Sequence, residues 1–208
     1  MQAQTTTGDP QVTLNGRVIR SSIETFVFGT RVPKQATPAF GTLVKVSAAN
    51  QKVTLVGVIY DIAVQENALT RMIARALSED LRGEESALRE QASVEGAVLC
   101  LGYLDAQGRA HYTFPAQPPW LLDEVLNCTD DEIRCFTSNP RFLVSIVRSR
   151  ATGLPRSSLI VATIERAAQL HANRRAFIES CAEELARQLN DRPVELDDLL
   201  RDLEVLYE

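Results

Sequence analysis

The sequence predicts an α+β protein: a small antiparallel, Greek-key-type β-barrel of about six strands carrying a helical insertion, followed by a helical C-terminal region. Three observations predict it. Residues 12–115 hold successive runs of β-branched and aromatic residues bounded by Gly, Pro, Ser or Asn, as short strands joined by turns do. The chain beyond residue 126 instead repeats apolar residues at helical spacing. Between the two, PAQPPW places Pro115, Pro118 and Pro119 in a stiff, extended connector. The 208 residues thus divide into a disordered N-terminus over 1–11, a barrel over 12–115, a proline-rich connector over 116–126 and a helical region over 127–208.

The first two strands are VTLNGRVIRS and ETFVFGTRV. In the second, Phe26 and Phe28 share one face because side chains alternate along a strand. VPKQATPAFG is a loop, since Pro33 and Pro38 lack backbone donors. Gly16, within the first run, marks a bulge or close backbone approach, GTLVKVSA is a third strand, and VTLVGVIYDI is a fourth with Gly57 in its middle. Leu69, Met72, Ile73, Ala76, Leu77 and Leu81 then recur at helical spacing, and Gly83 ends that run. This helix over about 69–82 interrupts the strands as an insertion. SVEGAVLCLGYL is the fifth strand, DAQG a turn and RAHYTF the sixth.

In the helical region Thr129, followed three residues later by Glu132, forms a capping box. NPRFLVSIVRSR opens a helix at Pro140. Ile160, Ile164, Ala167, His171, Ile178, Cys181, Leu185 and Leu189 make one stripe, with a break near Asn173. Leu196, Leu199, Leu200, Leu203 and Leu206 lie on one side of a last amphipathic helix, a candidate face for a partner or a second copy.

With 45% hydrophobic and 24% charged residues the chain can bury a sizeable core. It holds no apolar run near ~18 residues, so no membrane association is expected. MQAQTTTGDP lacks the basic and apolar regions of a signal peptide, and the expected location is cytoplasmic. The net charge of -5 argues against generic wrapping of nucleic acid. The charges are segregated, however. No acid lies between Ile133 and Ile164, while Arg134, Arg141, Arg148, Arg150 and Arg156 all do. Guanidinium forks bind phosphate or carboxylate in bidentate fashion, so these five arginines are a candidate partner- or anion-binding set. Charge runs are more often plain solvated faces. The acidic tail from Asp191 to Glu208 is a third possible occupant, in the same chain or another copy.

Four cysteines are too sparse for a disulfide scaffold, and their spacing fits no metal knuckle, so they read as reduced, packed side chains. The two histidines, His111 and His171, have no patterned Ser, Cys or carboxylate partner in sequence. The chain lacks the P-loop pattern, the dinucleotide glycine motif, the nucleophile elbow and the HExxH zinc motif. No catalytic residue, cofactor or metal is therefore assigned. Asp61, at the close of the fourth strand, with Arg109 and His111 on strand ends, are the weak candidates for an enzyme site. A turn-initiating role for Asp61 is the commoner one.

Gly16 with Val18, the Phe26–Phe28 pair, Gly41 starting a strand, Val56-Gly57-Val58 and Asp61 together resemble the HAS barrel. That is the small β-barrel shared by HerA-type DNA-pumping ATPases and rotary ATP synthase subunits. ASVEGAVLCLGYLDAQGRAHYTFPAQPPWLLDEV is similar to its closing strands and proline-rich exit, so the resemblance spans about 12–126. It implies an assembly module that packs beside copies of itself or against a partner. The family's ATPases continue into a motor core with a phosphate loop, whereas this chain continues into helices. Motor activity and nucleotide-binding residues are therefore not carried over. The function expected is a non-catalytic protein-interaction or assembly module, with a protein partner or self-association. The alternative is an accessory nucleic-acid-associated protein that works with a HerA-like ATPase through the arginine-rich segment.

Overall fold

The computed structural model describes residues 14–32, 38–48, 52–65 and 92–207. The N-terminal stretch 1–11 and the insertion helix expected over 69–82 lie outside them. Among the described residues there are seven strands: β1 (Gly16–Ser21), β2 (Thr25–Val32), β3 (Leu43–Ala48), β4 (Val53–Gln65), β5 (Ala92–Leu104), β6 (Ala110–His111) and β7 (Glu124–Asn127). Five helices follow: α1 (Asp130–Thr137), α2 (Phe142–Arg148), α3 (Arg156–Ala168), α4 (Arg174–Gln188) and α5 (Pro193–Glu204), with a final 3-10 turn over Val205–Tyr207.

The sheet runs β2-β1-β7-β3-β4-β5, and β5 pairs back onto β2, which closes a six-stranded antiparallel barrel. The sixth strand of the ring is not the expected RAHYTF. That segment pairs with β5 only through Ala110 and His111 and stays at the edge. The gap between β1 and β3 is filled by β7, whose Val125 pairs with both Gly16 and Val46. The stretch expected as a connector over 116–126 thus contributes its last residues to the barrel. The reason is backbone satisfaction: without β7, the facing edges of β1 and β3 would be left unpaired.

Alternation sorts the strand residues into two cores. Val18, Phe26, Phe28, Val44, Val46, Leu55, Ile59, Val98 and Val125 fill the barrel interior. Their neighbours Leu43, Val56, Val58, Leu99 and Leu101 face outward, yet they are equally buried, because the helices cover that wall with Phe136, Phe142, Leu143, Ile146 and Ile160. Barrel and helices therefore share one continuous apolar layer. Gly41, at φ +77°, marks how close they come: a Cβ there would meet Ala162 of α3 at 2.8 Å.

Polar ties fix the same contact. Lys45 of β3 reaches both carboxylate oxygens of Glu132 on α1 at 2.7 and 2.8 Å. Ser145 of α2 donates to the Leu101 carbonyl at 3.1 Å, and Tyr112 donates to the Phe136 carbonyl at 2.8 Å. The capping box forms in full: Glu132 N–H donates to Thr129 Oγ1 while Thr129 N–H donates to Glu132 Oε2.

The long stripe from Ile160 to Leu189 is divided between α3 and α4, and Asn173 caps the second by accepting from Ala176 N–H at 3.0 Å. The leucine face of the last helix packs largely inward. Leu199, Leu203 and Leu206 are buried in the shared core, with Leu196 packed beside them and Leu200 half-buried. An apolar stripe must be covered, and here the chain covers its own.

Candidate functional site

The candidate site residues all lie among the described residues. Asp61 does not end its strand. It lies within β4 at a register shift, and its carboxylate accepts the Ile62 N–H at 2.9 Å. Arg109 and His111 do converge, on Asp105 in the β5–β6 turn. Asp105 accepts Arg109 Nε at 2.8 Å, His111 Nε2 at 3.0 Å and the backbone N–H groups of Gln107 and Arg109. The His111 bond, seconded by the Arg109 backbone, holds that carboxyl far below the usual range. The His111 ring stacks on Tyr103 at 4.8 Å. Cys135 reaches the same turn, with its Sγ donating to the Gly108 carbonyl at 3.2 Å. Its thiol meets that carbonyl and not His111, so the arrangement ties down a hairpin rather than activating a nucleophile.

His171 lies elsewhere, 2.9 Å from Thr137 Oγ1 and stacked on Phe177 at 4.0 Å. Burial, with Arg134 nearby, lowers its pKa. Of the four cysteines, Cys100, Cys128 and Cys181 are packed side chains as expected. Cys135 is exposed. Among the described residues no group of three metal-ligating side chains is assembled, and no helix is long and apolar enough to cross a membrane.

The five arginines have different surroundings. Arg134 pairs with Asp131 one turn away on α1. Arg156 turns back to the end of α2, where its Nε donates to the Ile146 carbonyl at 3.2 Å and its terminal nitrogen to the Ser149 carbonyl at 2.8 Å. Both have internal work. Arg141 is exposed at the start of α2. Arg148 and Arg150 come together on a concave surface, a groove of about 280 Å³ lined also by Glu24, Phe114, Val144, Ser145 and Ser149. Within the acidic tail, among the described residues, Arg192 pairs with Glu195 and Arg201 with Asp197.

One end of the barrel carries a feature that the sequence reading passed over. Trp120, Leu121 and Leu122 are consecutive and are 62, 62 and 71% exposed. The turn that presents them is held tightly. Trp120 N–H donates to the Asp123 carboxylate at 2.8 Å, Leu122 N–H to the Val18 carbonyl at 2.8 Å, and Val18 N–H to the Asp123 carbonyl at 3.0 Å. Leu122 sits at φ +70°, a left-handed conformation that costs a branched side chain roughly 1–2 kcal/mol.

Antiparallel pairing of Arg17 with Glu124 brings this turn beside the outgoing end of β1. Ile19 and, in the β1–β2 turn, Ile23 are also exposed there. The next residue, Glu24, lines the groove with half-exposed Phe114. The rim is the Trp120–Leu121–Leu122 turn, with Ile19 and Ile23 exposed on the neighbouring strand and the turn after it, and Glu24, next after Ile23, leads to the groove. Three apolar residues in a row within a turn are the signal that could have found it, since exposed runs of that length contradict ordinary patterning. No protein-family model matches the chain, and no curated protein matches it either.

Proposed function

We propose that this chain is a non-catalytic protein-interaction module, built on a HAS-type barrel, which docks through the apolar end of that barrel. The observation that carries the reading is the Trp120–Leu121–Leu122 turn. A fold gains no stability from exposing three large apolar side chains, and it loses some by holding Leu122 at positive φ. Where a local rule is broken without a folding gain, a functional surface is the physical explanation. Large exposed apolar residues, Trp foremost, supply most of the binding energy where proteins meet. The barrel supports this use because closure leaves its ring no free strand edge, so recognition falls to side chains and turns.

The test is comparative capture from a lysate of the source cell, with full-length chain as bait. The wild type and a Val194→Ser/Val205→Ser control, altered at exposed residues of α5 and the final turn, should retain the same partner. A Trp120→Ser/Leu121→Ser variant should lose it. Should self-association be the interaction, light scattering would show the same pattern in the oligomer. Equal retention by all three baits would remove the barrel end as the docking surface.

A further inference from the structure

The groove beside the rim has a chemistry of its own. Its walls are Arg148, Arg150, Glu24, Phe114, Val144, Ser145 and Ser149. Among the described residues neither Arg148 nor Arg150 has a carboxylate partner, and Phe114 has no ring stacked on it. Glu24 is already engaged: its Oε1 accepts Ser149 Oγ–H at 2.7 Å and Arg150 N–H at 2.9 Å. Ser145 Oγ is spent on the Leu101 carbonyl. The hydrogen bonds to Glu24 fix the backbone from which Arg150 projects. The donors left free in the groove are two guanidinium groups, beside a half-exposed aromatic ring.

We propose that this groove takes a carboxylate carried beside an apolar group, supplied by the partner that docks on the rim. The inference rests on the docking reading above for the source of the ligand, but not for the recognition chemistry. Charge decides the class of anion. Two guanidinium groups against one fixed carboxylate leave a single positive charge, which matches a carboxylate. A doubly charged phosphate would be left uncompensated beside Glu24. Geometry agrees, since a guanidinium fork meets a planar carboxylate through two parallel N–H bonds. Phe114 and Val144 give the apolar neighbour a surface to lie on. The acid would come from an aspartate, a glutamate or a C-terminus flanked by an aliphatic or aromatic residue.

The recognition is testable without the partner. The probe is 4-phenylbutyrate, its control 4-phenylbutyramide, and inorganic phosphate the competing anion. Backbone amide shifts of Ser149 and Arg150 in the full chain report occupancy. The acid should bind roughly fivefold or more tightly than the amide, the scale of a charge-assisted bond discounted for an open groove. Added salt should weaken it. Arg148→Gln/Arg150→Gln should remove that preference, while the rim variant Trp120→Ser/Leu121→Ser should keep it. Equal binding of acid and amide, tighter binding of phosphate, or undiminished binding by the double Gln variant would each overturn the proposal. Because the probe never touches the rim, loss of probe binding with partner capture intact overturns the groove alone. Intact probe binding with capture unaffected by the rim variant overturns the docking reading alone.

Discussion

Gly96 of β5 and Phe28 of β2 are directly paired across the barrel, and the missing side chain of the first admits the ring of the second. A Cβ at Gly96 would lie 2.3 Å from Phe28 Cζ. Gly16 makes room from the other side, where a Cβ would lie 2.7 Å from Phe28 Cδ2. The ring is fully buried and has nowhere to retreat. Gly96→Ala is therefore expected to destabilise the chain by about 1–3 kcal/mol, the usual cost of overpacking. The measurement is the urea midpoint at unchanged slope. A wild-type midpoint would show that the ring is not confined between the two glycines.

Lys45 and Glu132 join the barrel to the first turn of α1, and their side chains are only 18 and 26% exposed. Burial pushes the Glu132 carboxyl up, but the bonds from Lys45 and from the Thr129 backbone outweigh it, so the pKa ends below the ordinary 4.5. A depressed carboxylate stabilises the fold above its unfolded pKa and loses that contribution as pH falls through its folded value. Lys45→Met should thus cost about 1–2 kcal/mol at neutral pH, and the gap to wild type should close as pH drops below about 4.5. A gap that stays constant down to acid pH would assign the loss to packing of the lysine stem.

The strands were legible because alternation and turn residues agree over long stretches. Phe26 and Phe28 share the interior as their spacing requires, and the Thr129–Glu132 box is a three-residue signal with one geometric solution. What stayed hidden was either short or long-range. Glu124–Asn127 is a four-residue strand following a run of prolines, and its identity depends on β1 and β3, more than 75 residues away in sequence. The fate of the arginines was equally illegible. A string of five basic residues in sequence does not tell that Arg156 folds back onto the end of α2, or that Glu24, more than a hundred residues upstream, meets the backbone of Arg150.

The thiols make a separate prediction. Cys100, Cys128 and Cys181 are buried, and burial pushes Cys100 up to about 11 and Cys181 up to about 12. Thiolate is the reacting form, so these three should be silent in the native state. Exposed Cys135 should react alone. Native labelling with an alkylating reagent followed by mass spectrometry should give one fast adduct on the peptide holding Cys135, and the other three only in denaturant. Rapid labelling of a second cysteine would contradict the packing of the shared core.

Leu122 offers a rarer outcome, a substitution that stabilises. At φ +70° a glycine is unstrained, so Leu122→Gly relieves conformational cost in the folded state while adding backbone freedom to the unfolded one. The net expectation is a gain of up to about 1 kcal/mol, together with weakened docking. Stability from urea unfolding and partner capture are read on the same sample. A destabilised Leu122→Gly would mean that the side chain supports the fold, and the argument for a functional surface would lose its main support.

Arg156 and the Arg148–Arg150 pair separate structure from recognition within one arginine-rich segment. Arg156 bonds the carbonyls of Ile146 and Ser149 at the end of α2, the first of which also accepts the Ser149 N–H. Arg156→Ala removes both bonds, the one to the Ser149 carbonyl included, and should cost about 1–3 kcal/mol. It should leave the carboxylate preference of the groove in place at temperatures where the variant is folded. Arg148→Gln/Arg150→Gln should do the reverse. Arg148 and Arg150 are exposed at their side chains, so stability should change by less than about 0.5 kcal/mol, with the preference lost. The two variants, compared by urea midpoint and by amide shifts under 4-phenylbutyrate titration, should therefore show opposite profiles. Matching profiles would mean that the segment is a single structural unit and that its charge carries no recognition.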